Sequence, residues 1–565
     1  MSIAVRASED DGPGRDTSPL LGSAGPSHAA DDTSLSVLGM VVRCRRQDRP
    51  RLVGLLLSGA AAAALGILAV IAAVGSAHFG RAGPRPVRNV VLMVSDGFGP
   101  ASQTLARNYN QFVNKLPAGA QLPLDTILVG SSRTRSSSSF VTDSAAGATA
   151  FACAIKTYNG AIGVDPDSVP CGTVLEAAKA RGMFTGLVVT SRITHATPAS
   201  FSAHVSSRGD EDEIAIQQIG NYSLGRRVDL MFGGGLCHFL PNTTSSSCRP
   251  DQTNVLAQAA EIGWKIGTDR AFFDSIVPDK AQLPIMNLFN LDHMSYNIDR
   301  DPTVEPSLAE MSAKALATLE AVSHAQGTGF FLMIEGSRID MAAHTNDPAP
   351  HIHEILQYNE AVAAVKAFVD KHPDTVMISV SDHETGGLSV GLQRGPAYPI
   401  YAWFPEALTG VHHSAEFIVR KLKAFTGPNI ADFISTTVFG EWLGGVAPTD
   451  ADIKFLSNTT QAQDQMENYI GKITSDLAGL GWSTHGHSAV DVNLYVHGAK
   501  AHELFGNHEN TEIGDFIVRN LHLDLRKITD ELKSAMPQMQ SRISGKRQLG
   551  SLNFNERHFH SSTTP

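Results

Sequence analysis

Four short apolar runs set the frame of the chain: residues 90–94, 187–190, 330–334 and 376–380, each rich in β-branched or bulky residues and bounded by Gly or polar positions. Runs of this length that are apolar at nearly every position, rather than at alternate ones, suit central parallel strands buried on both faces. Segments with helical spacing lie between them, for example residues 173–180, 307–324 and 352–371. This alternation predicts an α/β fold: a doubly wound, mostly parallel sheet flanked by helices. Residues 388–480 break the pattern with more Pro, Gly and aromatic residues, and read as an insertion on the main sheet.

An apolar run of another kind covers residues 52–77, which are 26 positions without an acidic or basic side chain. At ~1.5 Å per residue, a helix of that length spans the ~30 Å hydrocarbon layer of a bilayer. The run is too long, and starts too far into the chain, for a cleaved signal peptide; residues 52–79 are expected to be a retained transmembrane signal anchor. Arg43, Arg45, Arg46, Arg49 and Arg51 precede it, and Arg81, Arg85 and Arg88 follow. That bias predicts a cytoplasmic N-terminus and a lumenal C-terminal portion. Residues 1–51, rich in Ser, Asp, Gly and Pro, read as a disordered tail. Within the tail, Asp16, Leu20 and Leu21 have the form of an acidic dileucine signal read by a sorting adaptor.

Composition agrees with this plan. The 565 residues are 42% hydrophobic and 18% charged, ordinary globular values. The net charge, 45 − 56 = −11, argues against nucleic acid as a partner, because no basic excess is present to replace its counterions. Cys153, Cys171, Cys237 and Cys248 fall on the expected lumenal side, an even number that permits two disulfides; the local pairs 153–171 and 237–248 close the shortest loops. Asn221, Asn242 and Asn458 open glycosylation acceptor triplets.

Candidate chemistry follows each apolar run. Asp96 comes after the first, His195 and Thr197 after the second, Glu335, Asp340 and His344 after the third, Asp382 and His383 after the fourth. Ligands of open α/β sheets bind beyond the carboxyl ends of the strands, so four distant segments are expected to deliver these groups to one crevice. Asp340 and His344 are spaced i, i+4, which on a helix puts them on one face, close enough to share a metal. A carboxylate–imidazole set needs a further His, which either His485 or His487 could supply; spacing alone does not choose. Ser144, with Asp143 before it, would open a helix of very small residues, where free N–H groups favour an anion. No Gly-x-Ser-x-Gly elbow surrounds Ser144, so activation by a metal is the expected route. Arg208 supplies a planar fork suited to two phosphate oxygens.

Taken together, the strings NVVLMVSDGFG, VTDSAAGATA, ITHATPASFSAHVSSR, IEGSRIDMAAH, SDHETGG and STHGHS resemble the alkaline phosphatases, in order and in spacing, from about residue 89 to about 520. The resemblance, closest to fungal vacuolar membrane members, implies a phosphomonoesterase that works through a phosphoserine. Residues 80–540 would be its catalytic domain, with a crown-like insertion, and residues 541–565 a polar tail open to processing. It implies two zinc ions and one magnesium: Asp340, His344 and His485 at the first zinc, Asp96, Asp382 and His383 at the second, and Asp96, Thr197 and Glu335 at magnesium. Ser144 would be phosphorylated and Arg208, oriented by Asp143, would hold the phosphoryl oxygens, with His195 tuning the magnesium site through water. A homodimer is implied as well. One departure stands out: where family members often carry Lys or His, this chain has Met341, so its phosphate affinity is expected to differ. His351 and His353 match no ligand and read as helix-surface residues. A two-zinc phosphodiesterase or sulfatase is the competing reading; a non-catalytic binding protein would be expected to lack ligands.

Overall fold

The four predicted strands lie side by side. In the computed structural model, which describes residues 86–544, they form β1 (Asn89–Ser95), β3 (Phe184–Arg192), β7 (Phe330–Gly336) and β8 (Thr375–Val380). The others are β2 (Leu128–Arg133), β4 (Leu230–Gly234), β5 (Lys265–Gly267), β6 (Ile285–Leu288), β11 (Val492–Gly498) and β12 (Gly506–Glu509). All ten make one sheet of order β12-β2-β11-β8-β1-β7-β3-β4-β6-β5. Only β11 runs against its neighbours β2 and β8. A separate ribbon pairs β9 (Glu384–Thr385) with β10 (His487–Ser488). The anchor at residues 52–79, the signal at Asp16, Leu20 and Leu21, and the tail beyond residue 544 lie outside the described residues. Among the described residues no helix is long and apolar enough to cross a membrane.

Alternate positions of the central strands feed two cores, which is why their sequences are apolar throughout. Val90, Leu92 and Val94 of β1 face one core together with Phe151, Val174, Phe201 and Phe516. Val91 and Met93 face the other, together with Met311, Leu319, Ile355 and Val362. The first face is covered by helices α2 (Ser144–Cys153), α3 (Val174–Ala180) and α4 (Ala196–Ser202), and the second by α5 (Leu308–Gln326) and α7 (Pro348–Lys371), with the short α6 (Arg338–His344) between them in the chain. Predicted helix starts coincide with capping boxes: Thr173 with Glu176 on α3, Ser307 with Glu310 on α5. Such caps stabilise a helix by about 1 kcal/mol each.

Residues 388–480 leave the sheet and build a core of their own, including Val419, Leu422, Phe439 and Ile470, which seats on Leu105 of α1 (Pro100–Val113) and on Ile352 of α7. At the root of this insertion Ser389 and Gly481 exchange backbone hydrogen bonds of 2.7 and 3.0 Å. Both local disulfides are present, Cys153–Cys171 and Cys237–Cys248, with Cα separations of 6.0 and 5.0 Å. His351 departs from its expected surface place. It is fully buried, with Nδ1 donating to the Ile339 carbonyl at 3.0 Å and Nε2 2.9 Å from the Ser102 hydroxyl. His353 is half-buried, edge-on to Tyr109.

Candidate active site

Because β1, β3, β7 and β8 are parallel, their carboxyl ends open on one edge of the sheet. Asp96 follows β1 directly. Glu335 is the last residue but one of β7, and α6 starts two residues beyond that strand, so Asp340 and His344 arrive on one helical face with His344 Nε2 3.3 Å from Asp340 Oδ2. Asp382 and His383 leave β8, and His195 caps α4 after β3 with Thr197 in the first turn. The turn after β1 needs glycine at position 97: its φ is +74°, and a Cβ there would meet Asp340 Cα at 2.6 Å.

The ribbon β9–β10 settles the remaining histidine. His487 lies in register with Thr385, which brings the His487 ring onto that of His383, stacked with centroids 3.5 Å apart. Its Nε2 lies 3.2 Å from His344 Nε2 and 3.7 Å from Asp340 Oδ1. His485, matched above to the first zinc site, is displaced from it: its side chain is exposed and its Nδ1 donates to the His344 carbonyl at 2.8 Å. His485 lies in the bend that precedes β10, where its Nδ1 is spent on backbone, and the strand that follows delivers the His487 ring to the site. Tautomers follow from partners. His344 Nδ1 donates to the His485 carbonyl and His487 Nδ1 to the Thr142 carbonyl, at 2.5 and 2.8 Å, leaving each Nε2 lone pair for the cluster.

Two triads result, Asp96/Asp382/His383 and Asp340/His383/His487, each with its ligand atoms within 4.8 Å of one another. Both fit divalent cations, on an observation independent of family. Asp96 Oδ2, Thr197 Oγ1, Glu335 Oε1 and Asp382 Oδ2 are all buried without a hydrogen-bond partner, an arrangement the protein interior does not tolerate uncompensated. Mixed imidazole and carboxylate donors suit zinc; Asp96, Glu335 and Thr197 offer oxygen alone, which suits magnesium. Electrostatics agree. Burial and the neighbouring Asp382, Asp340 and Glu335 push Asp96 well above the carboxylate range. Burial drives Glu335 to about 8 and, with Asp340 beside it, Asp382 to about 7. Asp340 is the exception: burial pushes it up, but His344 more than reverses that.

Ser144 is the first residue of α2 and is fully buried. Asp143, not the serine, caps the helix, its Oδ1 accepting the Ala146 N–H at 2.9 Å. Ser144 Oγ is thereby free to face the triads, 3.3 Å from Asp96 Oδ1 and 3.0 Å from His383 Nε2. Asp143 Oδ2 accepts from Arg208 Nη1 at 3.1 Å and from the Gly160 N–H at 2.9 Å. The other arm of Arg208, Nη2, lies 3.1 Å from His195 Nε2. Burial, and the Arg208 and Arg192 cations, pull His195 down to about 3, so it meets Arg208 as a neutral acceptor. Met341 is buried against Tyr296 and Ala342 and adds no charge.

A hydroxyl on a helix N-terminus, faced by a clamped guanidinium and paired cation triads, defines a class: metal-dependent enzymes of phosphoryl transfer. The chain belongs to the alkaline phosphatase family, whose model matches residues 87–523. It is 46% identical to the repressible alkaline phosphatase of Saccharomyces cerevisiae over 79% of this chain and 83% of that one, and 47% identical to an alkaline phosphatase of Schizosaccharomyces pombe over 81% and 86%. Among solved structures, the cold-active alkaline phosphatase of Shewanella sp. superposes with a TM-score of 0.65 at 31% identity, covering 77% of this chain and 99% of that one. A variant of the TAB5 alkaline phosphatase, with a TM-score of 0.54 at 27% identity and covering 78% of this chain and all of that one, holds magnesium in its M3 site. The activity is that of a phosphomonoesterase.

Proposed function

We propose that phosphate monoesters are hydrolysed through a phosphoserine at Ser144, with Asp340, His344 and His487 holding one zinc, Asp96, Asp382 and His383 a second, and Asp96, Thr197 and Glu335 a magnesium. When bound, these cations neutralise the phosphoryl charge and lower the pKa of the serine hydroxyl. Arg208, fixed by Asp143 and His195, receives two phosphoryl oxygens in its planar fork. Ser144 Oγ bonds to phosphorus as the bond to the ester oxygen breaks, and the serine proton passes through solvent to that oxygen, which leaves as the alcohol. Water then bonds to phosphorus, the phosphorus–Ser144 bond breaks, one water proton returns to Ser144 Oγ, and inorganic phosphate departs. The observation that carries this reading is the Ser144 hydroxyl within 3.3 Å of a ligand carboxylate and a ligand imidazole. Acid quenching during turnover of a labelled monoester tests it: label on Ser144 is expected, and a quenched enzyme without it overturns the intermediate. Comparison of nitrophenyl monoester, diester and sulfate separates the competing superfamily reading, which a preferred diester or sulfate would restore.

We also propose a vacuolar membrane protein, single-pass and lumenal in its catalytic domain, anchored by residues 52–79 and routed by an adaptor that reads Asp16, Leu20 and Leu21. Two disulfides and three exposed acceptor asparagines, Asn221, Asn242 and Asn458, support a glycosylated lumenal domain. A homodimer is supported by solvent-facing Tyr398, Ile400 and Tyr401 on the insertion. Glycosidase digestion and sedimentation of the detergent-solubilised protein check both.

A further inference from the structure

We infer that Thr385 is a positioning residue that ties the two zinc triads together. It carries no ligand atom in the assignment above, and this inference rests on that assignment. Its side chain is fully buried. Thr385 Oγ1 donates to Asp340 Oδ1 and lies 3.2 Å from His383 Nδ1. A hydroxyl has one proton. With that proton on Asp340, the oxygen can only accept at His383, so Nδ1 must carry the imidazole hydrogen and Nε2 presents its lone pair to Ser144 and Asp96.

One hydroxyl therefore orients a carboxylate of the first zinc set and fixes the tautomer of the imidazole of the second. The hydroxyl is itself held by backbone: the Thr385 N–H donates to the Gly97 carbonyl at 3.2 Å, and the residue sits in register with His487 across the ribbon. Thr385 is thus fastened to three of the segments that build the site. Valine has nearly the same shape without the hydroxyl, and would leave Asp340 Oδ1 and His383 Nδ1 unpaired in the interior.

The test uses the full chain, stripped of metal and titrated with zinc against a chromophoric chelator, beside Thr385→Val and Thr385→Ser. Loss of such an outer partner weakens metal binding ~10- to 100-fold. Thr385→Val is expected to fall in that range and to alter the visible absorption of the cobalt-substituted protein, while Thr385→Ser binds as the wild type. Melting of the metal-free proteins checks that both variants fold; should the valine variant not fold, zinc binding by the serine variant decides the role of the hydroxyl, and weakened binding overturns it. Wild-type affinity and spectrum in Thr385→Val overturn the inference, as does equal weakening in both variants. A wild-type protein that takes up no zinc overturns instead the metal assignment beneath it.

Discussion

Two groups of buried ionisable side chains in this protein are built to opposite rules. His204 and Glu176 are both wholly buried, with His204 Nε2 2.8 Å from Glu176 Oε1 and Nδ1 2.7 Å from the Gly163 carbonyl. Tyr222 donates to the same carboxylate at 2.7 Å and the Thr173 N–H donates to it at 3.0 Å. Both imidazole nitrogens face acceptors, so the ring carries two protons and the pair is ionic. Burial alone would lower His204 and raise Glu176; each partner more than offsets that for the other, leaving His204 above and Glu176 below its ordinary value. At the catalytic edge, by contrast, Asp96, Glu335 and Asp382 are all pushed up, and acceptor oxygens outnumber donors. Buried charge matched within the fold is structure. Buried acceptors left over state the sign and chemistry of what the site takes from outside.

That contrast can be broken from either side. The largest effect is expected at the nucleophile: Ser144→Ala should lower kcat by about 10³-fold or more, with zinc content, read by atomic absorption, unchanged. His487→Ala should weaken zinc binding by about 10²-fold, measured by chelator competition, and metal added in excess should restore part of the activity. Glu176→Gln leaves His204 buried without its counter-charge and should lower stability by about 3 kcal/mol, read from the denaturation midpoint, while zinc affinity stays put. The pH dependence of that loss has a defined sign. Raised His204 contributes stability in full below the usual histidine pKa of ~6.5 and loses it as pH rises through its folded value; lowered Glu176 contributes in full above the usual ~4.3 and loses it as pH falls through its own. The gap between wild type and Glu176→Gln should therefore peak between those values and narrow on both sides. Smallest of all, His485→Ala should shift stability by no more than about 0.5 kcal/mol and leave zinc binding intact; loss of metal there would reverse the choice of His487.

Much of the site was legible because its signals are local. Asp96, Glu335, Asp382 and His383 stand at or just past the ends of apolar runs, and Asp340 and His344 declare themselves by helical spacing. His487 was not legible, because its position depends on β10 pairing with β9 across about a hundred residues of chain, a register that spacing cannot specify. The reversal of β11 was hidden for a similar reason: a strand takes its direction from where the connection delivers the chain. Thr385 was not legible although it sits two residues past His383, in SDHETGG, because a hydroxyl carries no ligand signature. His351 did carry a signal. It shares a helical stripe with Ile355, Tyr358 and Val362, all buried, and reading it as surface followed residue type over period; burial pulls it down to about 4.

The paired hydrogen bonds between Ser389 and Gly481 have one more consequence. They close the excursion at its neck, so the residues on either side, from His383 and Thr385 to His487, feel the same geometry whatever lies beyond. Loop-closure entropy grows only slowly with length, by ~0.6 kcal/mol per doubling. The neck is thus a docking port for novelty: whole modules could be lengthened, trimmed or exchanged there while the chemistry beneath keeps its shape.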